Sequence, residues 1–182
     1  MSMYEEEMQK ITSFIEENKD LVDSALRTVS ISILNTLNVF NIIENKITII
    51  IANYYKMSYS PELDFRVDIL DAGYLSYGQK VKILDSILER CGYYTSIKSD
   101  SKTYLSPFKI VGDLRNNIIH SVYGIDPDRI KGKEPRMIIY ANGRKISKKD
   151  LLKVFADFET YSQKSDAILN DIAKCIAERN SD

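Results

Sequence analysis

The residues best suited to chemistry in this chain lie between Arg115 and His120, in a segment that reads RNNIIH. This segment holds the single histidine of the 182-residue sequence, five positions after an arginine. A guanidinium binds phosphate-like anions through paired hydrogen bonds, and an imidazole exchanges protons near neutral pH. Together these two groups have the chemistry that cleavage of RNA requires, provided that the rest of the chain positions them.

Helical geometry assigns a different part to each side chain of this segment. On an ideal helix five residues turn the direction by about 140°, so Arg115 and His120 do not stack, whereas Asn116 and His120, four apart, share a face. We therefore expect His120 to act as the acid–base group, Arg115 to clamp the phosphate and Asn116 to fix the imidazole tautomer. The structural alternatives are a histidine bonded to a helix-end carbonyl, an arginine paired with Asp113, and an asparagine that is merely a polar surface residue.

A single imidazole per chain is too few for the full reaction. Internal attack on RNA needs a base for the 2′-hydroxyl, an acid for the leaving 5′-oxygen, and positive charge beside the phosphorane. A two-fold dimer supplies two imidazoles, because the helix then faces its own copy. No metal or other cofactor is expected, since the acidic residues are scattered. Cys91 and Cys175 form no metal-binding pattern and are interpreted as reduced thiols.

Apolar spacing predicts long helices in the N-terminal part of the chain. Apolar residues recur at steps of three and four from Tyr4 to Ile15, and again from Val22 to Tyr54. This pattern is typical of one long amphipathic helix, or of two helices that share a face. Because many of these residues are β-branched, a strand over Lys46 to Ala52 is the main competing interpretation.

Cap residues mark the start of four further helices. The clearest is a capping box, a serine followed three residues later by glutamine, at Ser76 and Gln79. The stretch from Tyr93 to Leu105 has no apolar period and is predicted to be a loop. The four helices are expected at Ser60 to Ala72, Ser76 to Gly92, Ser106 to Gly124, and from Ser147 through Ile176.

Two of these helices carry stripes that are expected to face the core. On the helix that holds the histidine the stripe is Ile110, Leu114 and Ile118, with Val111 and Val122 beside it. On the last helix the expected apolar face consists of Leu151, Leu152, Phe155, Phe158, Tyr161, Ala167 or Ile168, Ile172 and Ile176.

A small hairpin is the strand-rich feature that the sequence indicates. Met137 to Tyr140 and Lys145-Ile146 flank Asn142-Gly143, a dipeptide typical of two-residue hairpin turns. The sequence therefore predicts an all-α fold, an up-and-down helical bundle of five to six helices with a small β-hairpin before the last helix. At this length it is expected to form a single domain of residues 1–182.

Charge is distributed unevenly along a chain whose net charge is only −1. The first 25 residues are acidic, whereas residues 129–149 carry eight basic side chains against Glu134 alone. We expect this basic segment to meet the RNA backbone, and a solvated loop and hairpin is the alternative interpretation. The residues expected to bind substrate are Lys131, Lys133, Arg144 and Lys145.

The expected location is the cytoplasm. The long apolar stretch from Val29 to Tyr55 is interrupted by polar residues that include Glu44 and Lys46. These interruptions argue against a membrane span, which needs about 20 mostly apolar residues. The N-terminal residues are acidic and lack the apolar core of a signal peptide.

The segment from Arg115 to His120 resembles the R-x(4–6)-H motif of HEPN domains, the higher eukaryotes and prokaryotes nucleotide-binding family. Asn116 matches the polar residue that typically follows the arginine in that family. The segment from Tyr77 to Leu84 looks like the helix that precedes the motif in many members. The resemblance covers residues 20–178 as an order of helices, and its specific part is the motif.

This resemblance implies an all-α domain that forms a homodimer through the helices carrying Arg115 and His120. Many members of the family are metal-independent endoribonucleases of toxin–antitoxin, abortive-infection or other anti-phage systems. Others are catalytically silent, so a module that binds nucleotides or works with an antitoxin or nucleotidyltransferase partner is the alternative. A helical adaptor with an accidental motif is the third interpretation.

Some toxins carry a tyrosine two residues after the histidine. Here Val122 holds that position and Tyr123 follows it, which departs from the pattern for regulation by tyrosine modification.

Overall fold

The fold of the protein is mostly helical. The structure, a computed structural model, describes residues 3–55, 75–120, 122–125, 137–140 and 149–181. Within these ranges seven helices follow one another along the chain. They are α1 Met3–Glu17, α2 Lys19–Tyr54, α3 Tyr77–Arg90, α4 Tyr93–Ser96, α5 Ser101–Tyr104, α6 Ser106–His120 and α7 Leu151–Ser181.

In the described residues between α6 and α7 the structure has three short strands. They are β1 Val122–Ile125, β2 Met137–Tyr140 and β3 Lys149–Asp150, and they form an antiparallel sheet in the order β1-β2-β3. The predicted first hairpin strand coincides with β2. Its turn at Asn142-Gly143 and its second strand at Lys145-Ile146 lie outside the described residues, so that hairpin stays a prediction.

The predicted end of the motif helix at Gly124 is wrong. The helix α6 ends at His120, and Gly124 lies in β1, where it is opposite Ile138 of β2. The physical reason is that Val122, Tyr123 and Ile125 have side chains that favour a pleated strand, and β2 provides the pairing edge.

Helix α2 is one continuous helix of 36 residues, so the competing strand over Lys46 to Ala52 is wrong. The many β-branched residues of α2 lower its helical propensity. Its two buried threonines form hydrogen bonds within the helix. Thr36 and Thr48 are buried, and each hydroxyl donates to the carbonyl four residues earlier. This bond allows a buried hydroxyl to remain satisfied inside a helix.

By length and composition alone, α2 is apolar enough to cross a membrane. The criterion is weak, because core helices of soluble proteins also meet it. The polar interruptions in α2 therefore do not by themselves exclude a span, and the cytoplasmic location stays a prediction.

The chain divides into two units, the first formed by residues 1–37 and 114–157 and the second by residues 38–113 and 158–182. In the first unit the buried apolar residues include Val22, Val29, Ile118, Leu151 and Val154. In the second unit they include Phe40, Ile43, Ile47, Ile50, Ile51, Leu84, Ile87, Leu88, Phe108, Val111, Phe158, Leu169, Ile172 and Ile176.

The predicted capping box opens α3, as expected. The Ser76 hydroxyl accepts a hydrogen bond from the Gln79 backbone N–H at 3.4 Å, and the Gln79 side chain accepts one from the Ser76 backbone N–H at 2.7 Å. These two bonds satisfy N–H groups that have no partner within the helix. The start of α3 is therefore fixed by local chemistry that the sequence already shows.

A buried ion pair joins α2 to α3 in the second unit. Lys80 is 5% exposed, and its Nζ lies 2.9 Å from Oε1 of Glu44. A buried ammonium requires such a partner, because leaving it unpaired costs several kcal/mol. The sequence alone does not reveal this pair, since 36 residues separate its two members.

Tyr77 joins α3 to α6 in the same unit. Its ring packs against Phe40 with centroids 4.7 Å apart, and its hydroxyl donates to the Phe108 carbonyl at 3.1 Å. Burial, together with the nearby carboxylate of Glu44, raises the pKa of the Tyr77 phenol above its usual value. Gly112 permits this approach, since a Cβ there would lie 3.1 Å from Cε1 of the Tyr77 ring.

The predicted loop from Tyr93 to Leu105 is wrong in part, because it contains the short helices α4 and α5. The Asp100 carboxylate accepts from the Thr103 N–H at 2.9 Å and starts α5. Between the two helices the Tyr93 and Tyr104 hydroxyls lie 2.9 Å apart. Polar caps and aromatic contacts, which carry no apolar period, hold this stretch.

The Asp85 carboxylate of α3 receives two hydrogen bonds from this stretch. The hydroxyls of Tyr94 and Ser101 donate to it at 2.6 and 2.7 Å. Burial and the bond to Asp85 raise the pKa of Tyr94 above the usual value of a phenol.

The buried stripe of α7 differs from the predicted face. Leu152 is 66% exposed, whereas Val154, Leu169 and two serines, Ser162 and Ser165, are buried. The buried positions of α7 follow steps of three and four, as a helix requires. They are Leu151, Val154, Phe158, Ser162, Ser165, Leu169, Ile172 and Ile176.

Two polar contacts tie α7 to other helices of the second unit. The Nζ of Lys46 lies 2.5 Å from Oδ1 of Asp166, and it also donates to Asn170 at 3.2 Å. The guanidinium of Arg179 donates to the carbonyl of Cys91, the C-cap residue of α3.

Candidate functional site

The three predicted catalytic residues all lie in the last two turns of α6, in the first unit. His120 is the final residue of the helix, and its side chain is exposed. Asn116 is exposed as well, whereas Arg115 is half-buried and its Nε atom is buried. The helix thus presents the imidazole to solvent at its C-terminal end.

The amide of Asn116 contacts the arginine. Its Oδ1 accepts a hydrogen bond from Nη1 of Arg115 at 3.0 Å. This bond gives Asn116 an observed role as a support for the guanidinium. Its expected role in fixing the imidazole tautomer of His120 stays a prediction.

The burial of α6 explains why the arginine and the histidine have different environments. Phe108, Val111 and Ile118 are fully buried, whereas the expected core residues Ile110 and Leu114 are only half-buried. The buried side is therefore rotated from the predicted stripe. Arg115 follows Val111 by four residues and precedes Ile118 by three, so it lies near this side, while His120 points away from it.

Within one copy of the chain, Arg115 and His120 do not share a side of α6. They lie about 140° apart around an ideal helix. The predicted substrate-binding residues lie outside the described residues, so the structure does not place them beside His120. They are Lys131, Lys133, Arg144 and Lys145.

Within the described ranges, no group of three or more histidine, cysteine, aspartate or glutamate side chains is arranged to hold a metal ion. Cys91 is a buried free thiol and Cys175 is a half-buried one. On α6, the imidazole of His120 is suited to acid–base chemistry and the guanidinium of Arg115 to anion binding.

Sequence reasoning missed the support that α6 receives from Tyr77. This tyrosine holds the helix through the Phe108 carbonyl, two turns before Arg115. The signal was Gly112, a glycine inside a helical pattern, since such a glycine often marks a close approach of another group.

Comparison of the chain with family models, with curated proteins and with solved structures finds no match. The resemblance to HEPN domains therefore rests on the segment from Arg115 to His120 and on the order of the helices.

Proposed function

We propose that the protein is a metal-independent endoribonuclease of the HEPN type that acts as a homodimer, in the role of a toxin or an anti-phage defence effector. The helices α6 of two copies would face each other across a two-fold axis. Each copy then contributes one arginine and one histidine to a shared cleft. The substrate is RNA, because the reaction uses the 2′-hydroxyl as the internal nucleophile.

In this mechanism Arg115 holds the scissile phosphate and stabilises the charge that grows on it. His120 of one copy removes the proton from the 2′-hydroxyl, whose oxygen attacks phosphorus. The second imidazole gives its proton to the 5′-oxygen as that bond breaks. The products are a 2′,3′-cyclic phosphate and a free 5′-hydroxyl, so no water or metal enters the balance of this step.

The observations that support the proposal best are the exposure of His120 and the hydrogen bond between Arg115 and Asn116 on α6. The imidazole is exposed at the end of a helix, where it can reach a substrate. The guanidinium is held by Asn116, so less of its rotamer freedom remains to be lost when a phosphate binds.

The test is incubation of the purified chain with transfer RNA and messenger RNA in EDTA. Wild type is expected to cleave, and His120→Ala to lose at least about 10²-fold in rate, the usual loss for a positioned acid–base group. Arg115→Ala should lose a similar factor, and Leu152→Ala on α7 serves as the exposed control. Equal cleavage by wild type and His120→Ala would contradict the assignment.

A catalytically silent module that binds a partner is the second candidate. It is favoured by the half-buried state of Arg115, whose Nε lies inside the protein. This candidate predicts no cleavage in EDTA together with a stable complex with an antitoxin or a nucleotidyltransferase. Co-purification of a partner and unchanged RNA would distinguish it from the nuclease.

A further inference from the structure

Helix α2 has a second side that is exposed, in addition to the stripe that it buries in its own unit. In the second unit its residues Asn38, Ile42, Asn45 and Ile49 are exposed, with Ile42 at 55% and Ile49 at 42%. We name these four residues the α2 seam. Their spacing of four, three and four places them on one side of the helix, roughly opposite the buried Ile43, Ile47 and Ile50.

The seam has the spacing of a coiled coil. Positions 38, 42, 45 and 49 fit alternating d and a positions of a heptad, and the same spacing continues in the sequence at Asn35 and Ile31. A helix that already buries one stripe in its own unit needs no second stripe at heptad spacing for that purpose. Such a stripe, when exposed, is typical of a helix that pairs with another helix.

The part of α2 that holds the seam carries few charged side chains, and both of them are paired. Between residues 38 and 55 the charged side chains are Glu44 and Lys46. Glu44 pairs with Lys80 of α3, and Lys46 pairs with Asp166 of α7. A helix segment with so few charges, in a chain with 28% charged residues, has the composition of an interface core, from which charged residues are depleted.

The two asparagines of the seam point to one kind of occupant. A buried amide needs an amide or similar group opposite it, and a second copy of this chain supplies one automatically. In a parallel pair Asn38 and Asn45 each face themselves across the axis. A lipid surface would leave the same amides without partners, which makes the membrane the less favourable occupant.

We propose that the α2 seam binds the same surface of a second copy of this chain, as a helix pair separate from the dimer proposed through α6. The seam is about 17 Å long, from Asn38 to Ile49 at a rise of about 1.5 Å per residue. It is too short to bury the roughly 800 Å² per partner of a standard stable interface. Association through it is therefore weak and depends on concentration.

The mass of the full chain in solution tests this pairing. Sedimentation velocity from about 1 to 200 µM should show the mass rising with concentration. Ile42→Glu combined with Ile49→Glu should hold the mass near the lowest wild-type value at every concentration, because glutamates would meet across the axis. Leu152→Glu, at a residue 66% exposed on α7, is the matched control and should leave the mass unchanged.

A second variant separates pairing from a loss of folding. Asn45→Ile replaces a seam amide by an apolar side chain and should strengthen the self-association about ten-fold, because polar seam residues fix register at a cost in stability. The pairing is overturned if the double glutamate variant has the wild-type mass. It is equally overturned if wild type binds phosphatidylcholine vesicles through Ile42 and Ile49 without any change of mass.

These outcomes do not depend on nuclease activity. If the α6 dimer does not form, the seam still converts monomer to dimer, and if it does form, the seam converts dimer to tetramer. The double glutamate variant removes the rise in mass that the seam causes in either case. Loss of the proposed nuclease function would instead appear as absent RNA cleavage at an unchanged mass.

Discussion

The guanidinium of Arg115 is the most firmly held of the three candidate side chains. Its Nη1 is bonded to Asn116, and its Nε is buried. A side chain that is already held loses less conformational entropy when it binds a phosphate. His120 is exposed at the helix end, so its position during a reaction depends on the groups that a substrate or a second copy brings to it. At the scale of residues, Asn116 is therefore a positioning group for the arginine.

Replacing Asn116 by alanine should lower the rate of RNA cleavage about ten-fold, which is less than the loss of a positioned acid–base group. The reason is that the guanidinium loses its neighbouring acceptor and must be ordered by the substrate. The effect should appear mainly in the apparent Michaelis constant for RNA, since the imidazole is untouched. Steady-state cleavage assays measure it, with Asn117→Ala on the same helix as the control. An Asn116→Ala enzyme as inactive as His120→Ala would instead show that the amide acts on the imidazole.

The residue types of the site could be read from the sequence, but their environments could not. The guanidinium binds phosphate and the imidazole transfers protons in any fold, so the two residue types alone indicate this chemistry. Which side of α6 is buried depends on Phe108 and Val111, which the sequence offers beside an equally apolar Ile110 and Leu114. The choice between these stripes is made by helices distant in the chain. The partial burial of Arg115 follows from that choice.

At the scale of elements, α6 is held by a contact between a tyrosine and a glycine. The Tyr77 ring lies close to Gly112, and its hydroxyl bonds to the Phe108 carbonyl. Because the ring also packs against Phe40, it has little freedom to move away. The position of the helix that carries the motif therefore depends on the absence of a side chain at residue 112.

Gly112→Ala should destabilise the protein by about 1 kcal/mol, since the strain of the added methyl group exceeds the gain in helix propensity. The same substitution in a Tyr77→Ala background should stabilise by about 1 kcal/mol, because only the gain in helix propensity then remains. Urea unfolding of the four proteins of this cycle measures both effects. Equal effects of Gly112→Ala in the two backgrounds would mean that the ring and the glycine do not interact.

Helices that are marked by cap residues or by regular apolar spacing were predicted correctly. Features that depend on contacts between residues far apart in the chain were not. The capping box at Ser76 and the long helix α2 follow from caps and spacing within a few turns. The buried face of α7 was misjudged because two of its positions are Ser162 and Ser165, which no apolar pattern includes. The short helices α4 and α5 depend on polar contacts such as that between Tyr94 and Asp85, which sequence periodicity does not detect.

At the scale of the whole molecule, the proposed nuclease needs two copies of the chain. A single copy offers one imidazole, and the described part of the chain contains no other group of similar proton-transfer chemistry beside it. The contacts of the chain group it into two units, and the single domain that the sequence predicts stays a prediction. The proposed assembly between copies rests on the motif and the α2 seam, so the sequence alone could only suggest it.

Mixing wild type with His120→Ala subunits tests whether both imidazoles act in one cleft. In an equilibrated mixture with about one tenth wild-type chains, activity should fall to about 1% of the all-wild-type value. The reason is that only dimers with two histidines cleave, and these follow the square of the wild-type fraction. Cleavage of a fluorescent RNA after co-refolding measures it. A fall to about 10% would mean that each histidine works alone.

The bond from Arg179 to the carbonyl of Cys91 has a practical consequence for protein engineering. It joins the last turns of α7 to the end of α3, so the final residues contribute to the second unit rather than trailing from it. A truncation before Arg179 would remove the only described side-chain donor to that carbonyl and expose the C-terminus of α3. Affinity tags and fluorescent labels are therefore better placed away from the last turns of α7.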